Sequence, residues 1–277
     1  MRRMFKEIYL LLRALVDPRK WDLDKNLKAK IRATYFRVLF LKRYDARNKI
    51  ADIVGYKVKF CDADLLFGLF NEIFLHHEYH FTSANETPHI IDCGSNIGMS
   101  VIYFKMLYPE AEIVAFEPGE EAFACLDANI KNNRLTPVTA HRTALADREG
   151  EIDFYCDQDK AGSLVMSTNP ARMSKQKRVV KVTRLSNYID RTVDFLKMDV
   201  EGAEMEIMED LRRTDKLKHI RQMAIEYHHH IVSDSDELSK MLRLLEDAGF
   251  GYQMESYLKR PFIPGQFQDI LIYAYRP

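Results

Sequence analysis

Cysteine and tryptophan are scarce in this chain of 277 residues, which holds four of the one and one of the other. Cys61, Cys93, Cys125 and Cys156 stand far apart with no Cys-x-x-Cys pair, which excludes a zinc or disulfide framework. Reduced thiols in a cytoplasmic protein are the expectation. No apolar run reaches the roughly eighteen residues that a membrane-spanning helix needs. The opening MRRMFKEIYLLLRALVDPRK carries Glu7 and Arg13 within its apolar part and no small-residue cleavage site, so it does not read as a signal peptide. Net charge is missing too, because 41 Lys/Arg balance 41 Asp/Glu. Internal repeats and low-complexity tracts are absent. What is present is a hydrophobic fraction of 47% with sixteen Phe, enough core for one α/β domain with an extension or for two small domains.

The balanced charge is unevenly spread. Residues 1–48 hold 14 Lys/Arg against 5 Asp/Glu, leaving 27 against 36 in the remainder. Residues 1–50 therefore read as a basic helical extension, in two helices broken near Asp17-Pro18, ahead of a main domain at 51–277. The extension is expected to be a solvated arm or to pack on the acidic remainder. Its alternative use is peripheral contact with an anionic membrane surface or a partner protein. ATYFRVLFLKRY mixes basic and aromatic residues, but no nucleic-acid recognition motif accompanies it, so nucleic acid is not an expected partner.

Periodicity divides the rest. GYKVKFCD alternates as a strand, and LLFGLFNEIFLHHEYHF reads as an aromatic-rich helix that places His76 and His80 one turn apart. From His89 strands and helices alternate: HIIDC, EIVAFEP, VTAHRTAL, VDFLKMDV, IRQMAIEYHHH and QDILIYAYR are strands, separated by helical patterns. EIDFYC and VVKVTRL are additional strands flanking a long polar loop at 157–178, a candidate lid. This order predicts a mostly parallel sheet with helices on both faces, and ligands gathered at the carboxyl ends of the strands.

Two stretches carry chemistry. In HIIDCGSNIGMS a strand ends at Asp92, and Gly94, Asn96 and Gly98 follow before a helix begins. Glycines there permit a tight turn and close approach of a ligand to the helix start. The next strand ends in Glu117, 23 positions after Gly94, where a carboxylate accepts hydrogen bonds from a ribose diol. The glycine spacing misses the Gly-x-Gly-x-x-Gly of dinucleotide sites. Asp92 suits a ligand with a positive amino group, as S-adenosylmethionine has. A tight turn without a ligand is the plain alternative.

The second stretch is FLKMDVEGAEMEIME, with Asp199 at a strand terminus on the ligand side. Glu204 and Glu206 read as ordinary partners of the helix dipole. In IEYHHH, Glu226 and His228 alternate with Tyr227 and so share one side of the strand end. Asp199, Glu226 and His228 are thus expected to converge above adjacent strands. His228 is the first candidate for a general base and Asp199 the next. A metal held by these three is a further option, and a solvated strand end the plain one.

Together IIDCGSNIGMS, VAFEP, FLKMDVEGAE and IEYH, with EIFLHHEYHF upstream as a Glu-rich, Tyr-ending helix, resemble the FkbM-type family of S-adenosylmethionine-dependent methyltransferases, over about residues 53–275. The Lys-x-Asp-x-Glu-Gly-x-Glu pattern is the most specific of these motifs. The resemblance implies a class I methyltransferase fold, Rossmann-like, with a seven-stranded sheet whose last strand is antiparallel. It implies methyl transfer from S-adenosyl-L-methionine to oxygen, on a sugar or natural-product hydroxyl. Carried onto this chain, Asp92, Gly94, Asn96 and Gly98 line the methionine part, with Ser95 in the turn. Glu117 holds the ribose beside Pro118, and Thr143 and Ala144 lie near the adenine. Asp199 faces the transferring methyl, and Glu226 and His228 flank the acceptor. Cys93 and Ser95 stand where the family often has Ala or Pro. The rival readings are a non-catalytic binding module and a nicotinamide-dependent oxidoreductase. The metal requirement and the oligomeric state are not legible.

Overall fold

The computed structural model describes residues 25–44, 49–156, 176–230, 237–256, 263 and 265–276. The first of the two basic helices, the break near Asp17-Pro18 and residues 157–175 of the long loop lie outside the described residues. The chain runs α1 (Lys25–Tyr44), β1 (Ile50–Ile53), β2 (Tyr56–Lys59), α2 (Ala63–Phe70), a π-turn (Asn71–Leu75), β3 (His89–Cys93), α3 (Met99–Leu107), β4 (Glu112–Phe116) and α4 (Glu120–Asn133). There follow β5 (Val138–His141), β6 (Ala144–Ala146), β7 (Gly150–Cys156), β8 (Gln176–Arg184), β9 (Val193–Met198), α5 (Glu204–Arg213), β10 (Ile220–His229), α6 (Leu238–Asp247), β11 (Gly251–Ser256) and β12 (Gln268–Tyr275).

The main sheet has seven strands in the order β11-β12-β10-β9-β3-β4-β5. All neighbouring pairs from β10 to β5 are parallel, and β12 runs antiparallel to both β10 and β11. Every residue of β3 and of β9 is buried, as a central parallel strand covered on both faces requires. Ile90 faces a core built with α1 to α4, and Ile91 faces a second core built with α5 and α6. From β3 the chain winds one way through β4 and β5, then returns through β9 and winds the other way. The β3/β9 boundary is therefore the switch point of the sheet, where a crevice opens at the strand ends. This is the mostly parallel, doubly covered sheet of a class I methyltransferase, antiparallel last strand included.

Four local expectations need correction. VTAHRTAL is two strands, because β5 joins the main sheet while β6 joins β8 and β7 in a separate sheet. GYKVKFCD is the second arm of a hairpin whose first arm, β1, goes unread because IADI is too short to show a period. GYQMES, unread for its polarity, is the edge strand β11, four of whose residues are exposed. The aromatic-rich helix stops at Leu75. His77 takes a left-handed φ of 56°, so His76, His77 and His80 do not share a helix. His77 Nδ1 instead lies 2.8 Å from the Tyr103 hydroxyl.

Helix α1 is not a free arm over these residues. Ile31, Tyr35 and Val38 recur at helical spacing and are buried in the core with α2, while Phe36 and Phe40 are exposed. The hairpin is fastened by side chains that imitate a neighbouring strand. Asn129 Oδ1 accepts from Lys59 N at 2.6 Å, and its Nδ2 donates to Lys59 O at 2.9 Å. One turn on, Asn133 makes the same pair of bonds with Lys57, at 2.8 and 2.9 Å. Asn129 Nδ2 also donates to Ile97 O in the glycine turn at 2.8 Å. Replacing Asn129 by Leu leaves several backbone groups without partners. We expect a loss of about 2–4 kcal/mol in urea unfolding, and about half that or less for Asn133→Leu at its exposed end.

Candidate active site

The crevice at the switch point is a pocket of about 310 Å³. Its lining includes Gly94, Ser95, Asn96, Glu117, Pro118, Thr143, Ala144, Asp199, Glu226 and His228, which are ten of the twelve residues named from sequence. The other two sit behind the wall. Asp92 is fully buried, its Oδ2 accepting from Ser100 Oγ at 2.5 Å. Gly98 caps α3 with φ of 85°, and a Cβ there would meet Leu126 Cδ1 at 2.7 Å.

The turn after β3 is held from three sides. Gly94 N and Ser95 N both donate to Phe116 O, at 3.0 and 2.9 Å. Asn96, at φ of 48°, donates its N–H to Glu117 Oε2 at 2.9 Å. Glu117 Oε1 accepts from Gly119 N at 2.7 Å. The Glu117 carboxylate is thus oriented by two backbone donors and keeps acceptor capacity toward the pocket. Burial pushes its pKa up to about 7, against the pull of those two bonds. On the third side, Asp199 N donates to Cys93 O at 3.0 Å. A Cβ on Gly94, at φ of 85°, would fall 1.8 Å from Asp199 O.

Lys197 is a site residue that the sequence reading left without a role. It is 2% exposed, and its ammonium donates to Gly94 O. It lies 3.6 Å from Asp92 Oδ1 and 3.4 Å from Asp199 Oδ2. Burial opposes its charge, but the carboxylates of Asp199, Asp92 and Glu226 outweigh it and hold its pKa above the usual lysine range. Its position was visible in VDFLKM, since a charge inside an otherwise apolar parallel strand needs partners nearby.

Glu204 needs a correction as well. It is 2% exposed, and its Oε1 lies 2.7 Å from His228 Nδ1 and accepts from Gly202 N at 3.0 Å. The other imidazole nitrogen, Nε2, lies 3.1 Å from Glu201 Oε2 and 3.8 Å from Asp199 Oδ1. Burial works against charge on His228, but Glu204 and Glu201 raise its pKa well above the ordinary value. Glu226 accepts from the Tyr79 hydroxyl at 3.3 Å, and burial together with Asp199 raises its pKa well above the carboxylate range. Glu72, also in the lining, is pushed up to about 7 by burial and by Glu78 and Asp199. Glu72 and Tyr79 come from EIFLHHEYHF, the stretch ahead of the glycine turn that shares in the family resemblance, although neither residue was given a role there. One donor atom each from Asp199, Glu226 and His228 lies within 4.8 Å of the others, so the predicted convergence is real.

Comparison with known proteins decides the family. Residues 92–252 match the model of the Methyltransferase FkbM domain. The chain belongs to the FkbM methyltransferase family. It is similar to Methyltransferase 1 of Beauveria bassiana, 28% identical over 205 residues, covering 66% of this chain and 80% of that one. It is 25% identical over 220 residues to the 31-O-demethyl-FK506 methyltransferase FkbM of Streptomyces tacrolimicus, covering 66% and 80%. It is 28% identical over 138 residues to the 2-O-methyltransferase NoeI of Sinorhizobium fredii, covering 44% and 56%. The matched segment of this FkbM-family chain begins at Asp92 and takes in the glycine turn, Glu117, Asp199, Glu204, Glu226 and His228.

The two glycines separate two kinds of constraint. Gly98→Ala meets the flexible end of a leucine and the cost of a left-handed backbone, about 1–2 kcal/mol. Gly94→Ala drives a methyl into the backbone of β9's terminus, and we expect on the order of 3 kcal/mol or more. Denaturant unfolding of both variants checks that order.

Proposed function

We propose that this chain is an S-adenosylmethionine-dependent O-methyltransferase acting on a hydroxyl of a small-molecule or glycan acceptor. The observation that carries the proposal is Glu117, an oriented, buried carboxylate at the second strand tip, in one pocket with Asp199, Glu226 and His228 at the fourth and fifth. The family, and relatives whose names specify O-methylation, support it. When bound, the cofactor supplies an electrophilic methyl on a sulfonium. Glu117 accepts from the ribose diol, and the Gly94–Asn96 turn leaves room for the methionine part. Asp92, behind the wall, fixes the turn rather than touching the ligand, and Lys197, in the lining, holds the Gly94 carbonyl.

With that group bound, the acceptor hydroxyl would have to give up its proton as its oxygen takes the methyl, and a residue of the pocket must receive it. His228 faces a carboxylate from each ring nitrogen, an arrangement that suits two N–H donors. We therefore assign the proton to Asp199, the second candidate from sequence, and give His228 and Glu226 the positioning of the acceptor. Aligning oxygen, carbon and sulfur supplies the larger part of the rate, up to roughly 7–11 kcal/mol in well-oriented systems. A divalent cation at Asp199, Glu226 and His228 is a second reading, favoured by the closeness of their donor atoms. Loss of activity on chelation, restored by Mg²⁺ or Mn²⁺, would select it.

Calorimetric titration with S-adenosylmethionine tests the first part. A ribose that donates to Glu117 favours its ionised form. Affinity should therefore climb as pH rises through about 7, the Glu117 pKa, and level off above it. Glu117→Gln should bind roughly 10–100-fold more weakly at high pH and lose that dependence. Unchanged affinity in the variant would refute the ribose assignment. Acceptor screening with methyl-labelled cofactor tests the second part. Asp199→Asn should lower turnover by about 10²–10⁴-fold while cofactor affinity stays within a few fold. Tight binding of a nicotinamide cofactor in place of S-adenosylmethionine would overturn the reading as a whole.

A further inference from the structure

Two of the four cysteines, 64 positions apart in sequence, meet in space away from the pocket lining. Cys61 Sγ, just past β2, lies 3.5 Å from Cys125 Sγ on α4. Cys125 is buried and Cys61 partly exposed, so the pair has one solvent-facing member. Lys49 Nζ donates to Cys61 O at 2.7 Å, and Lys59 and Lys49 favour a thiolate at Cys125 over the opposition of Glu121, whereas at Cys61 Glu121 outweighs Lys49. The hydrogen bond between the two sulfurs, set against burial, lowers the Cys125 pKa, while the same bond and burial raise that of Cys61. Cys93, by contrast, is fully buried, and burial beside Asp92 raises its pKa well above the ordinary value.

We infer that Cys61 and Cys125 are an oxidisable dithiol that closes to an intramolecular disulfide when the protein meets hydrogen peroxide. The chemistry balances without further partners. A thiolate of the pair attacks one peroxide oxygen, the O–O bond breaks, and the sulfur becomes a sulfenic acid while one water leaves. The second thiol attacks that sulfur and expels the second water. Two electrons pass from the sulfurs to the peroxide. The sulfurs need to approach by about 1.5 Å to reach bonding distance.

The position of the pair gives the link a consequence. Between Cys61 and Cys125 run β3, the glycine turn, α3, β4 and Glu117. The disulfide would close that stretch into a loop and tie the β1–β2 hairpin to α4, already joined there by Asn129 and Asn133. Oxidation is expected to leave the pocket's lining in place and to stiffen the half of the domain that carries the turn. In the chain-entropy account a loop of this length stabilises the native state, with a rise in Tm on the order of 5–10 °C for a domain of this size.

The test treats the reduced full-length protein with a small excess of hydrogen peroxide, then blocks and counts thiols under denaturing conditions and maps the linked peptides by mass spectrometry. The expected result is loss of two thiols and two hydrogens per chain, a Cys61–Cys125 peptide pair, full reversal by dithiothreitol and the stated rise in Tm. Cys93→Ser should behave as the parent does. Cys61→Ser and Cys125→Ser should each form no intramolecular disulfide at that dose and show no rise in Tm, while unchanged circular dichroism shows that each variant folds. Oxidation of single cysteines to sulfinic acid, a link through Cys93 or Cys156, or links only between chains would each overturn the inference.

Discussion

Everything at the crevice depends on how closely the ends of β3 and β9 approach. Asp199 N bonds to Cys93 O, and the Asp199 carbonyl occupies the space that any side chain at position 94 would need. The approach is possible because residue 94 is glycine, and it is fixed because a buried ammonium lies beside it. Lys197 donates to the Gly94 carbonyl and stands near the carboxylates of Asp92 and Asp199. A lysine buried in this way is costly alone, and so are the two acids; together they offset one another's desolvation. One arrangement thus sets the shape of the turn, the direction of Asp199 and the charge of the pocket's floor.

The next strand repeats the logic with a histidine. Glu204, at the start of α5, is buried because it reaches His228 at the end of β10, and Gly202 N completes its bonding. Helix start and strand end are thereby locked by a pair that neither element specifies alone. The two assemblies share Asp199, which lies 3.4 Å from Lys197 and 3.8 Å from His228 Nε2. A disturbance at one is expected to reach the other through that carboxylate.

Much of this was legible in the sequence, for physical reasons that differ by element. The central strands β3 and β9 announce themselves because parallel strands covered on both faces are largely apolar. The glycine turn and Glu117 announce themselves because strand-end chemistry recurs at a spacing set by one strand–helix–strand unit. Periodicity fails where an element is short or polar, as in β1, β6 and β11, since three or four residues are too few to show a period and a mostly exposed edge strand shows no apolar face. It fails also where a helix widens and stops without Gly or Pro, as the π-turn does before His76. In the site, acids at a helix start mean nothing by themselves, and the role of Glu204 emerges once β10 is placed beside it. Tyr79 and Glu72 lie in a stretch whose resemblance to the family is legible, but their individual places in the pocket emerge from tertiary packing.

The central claim is that a sulfonium nucleoside lies across the tips of β3 and β4 with its reactive carbon directed toward Asp199. The most direct measurement is a crystal structure of the chain with S-adenosylhomocysteine at saturating concentration. The account predicts both ribose hydroxyls within hydrogen-bond distance of Glu117 and the sulfur facing Asp199, Glu226 and His228. A nucleoside seated away from Glu117, or a sulfur turned from those three side chains, would contradict it.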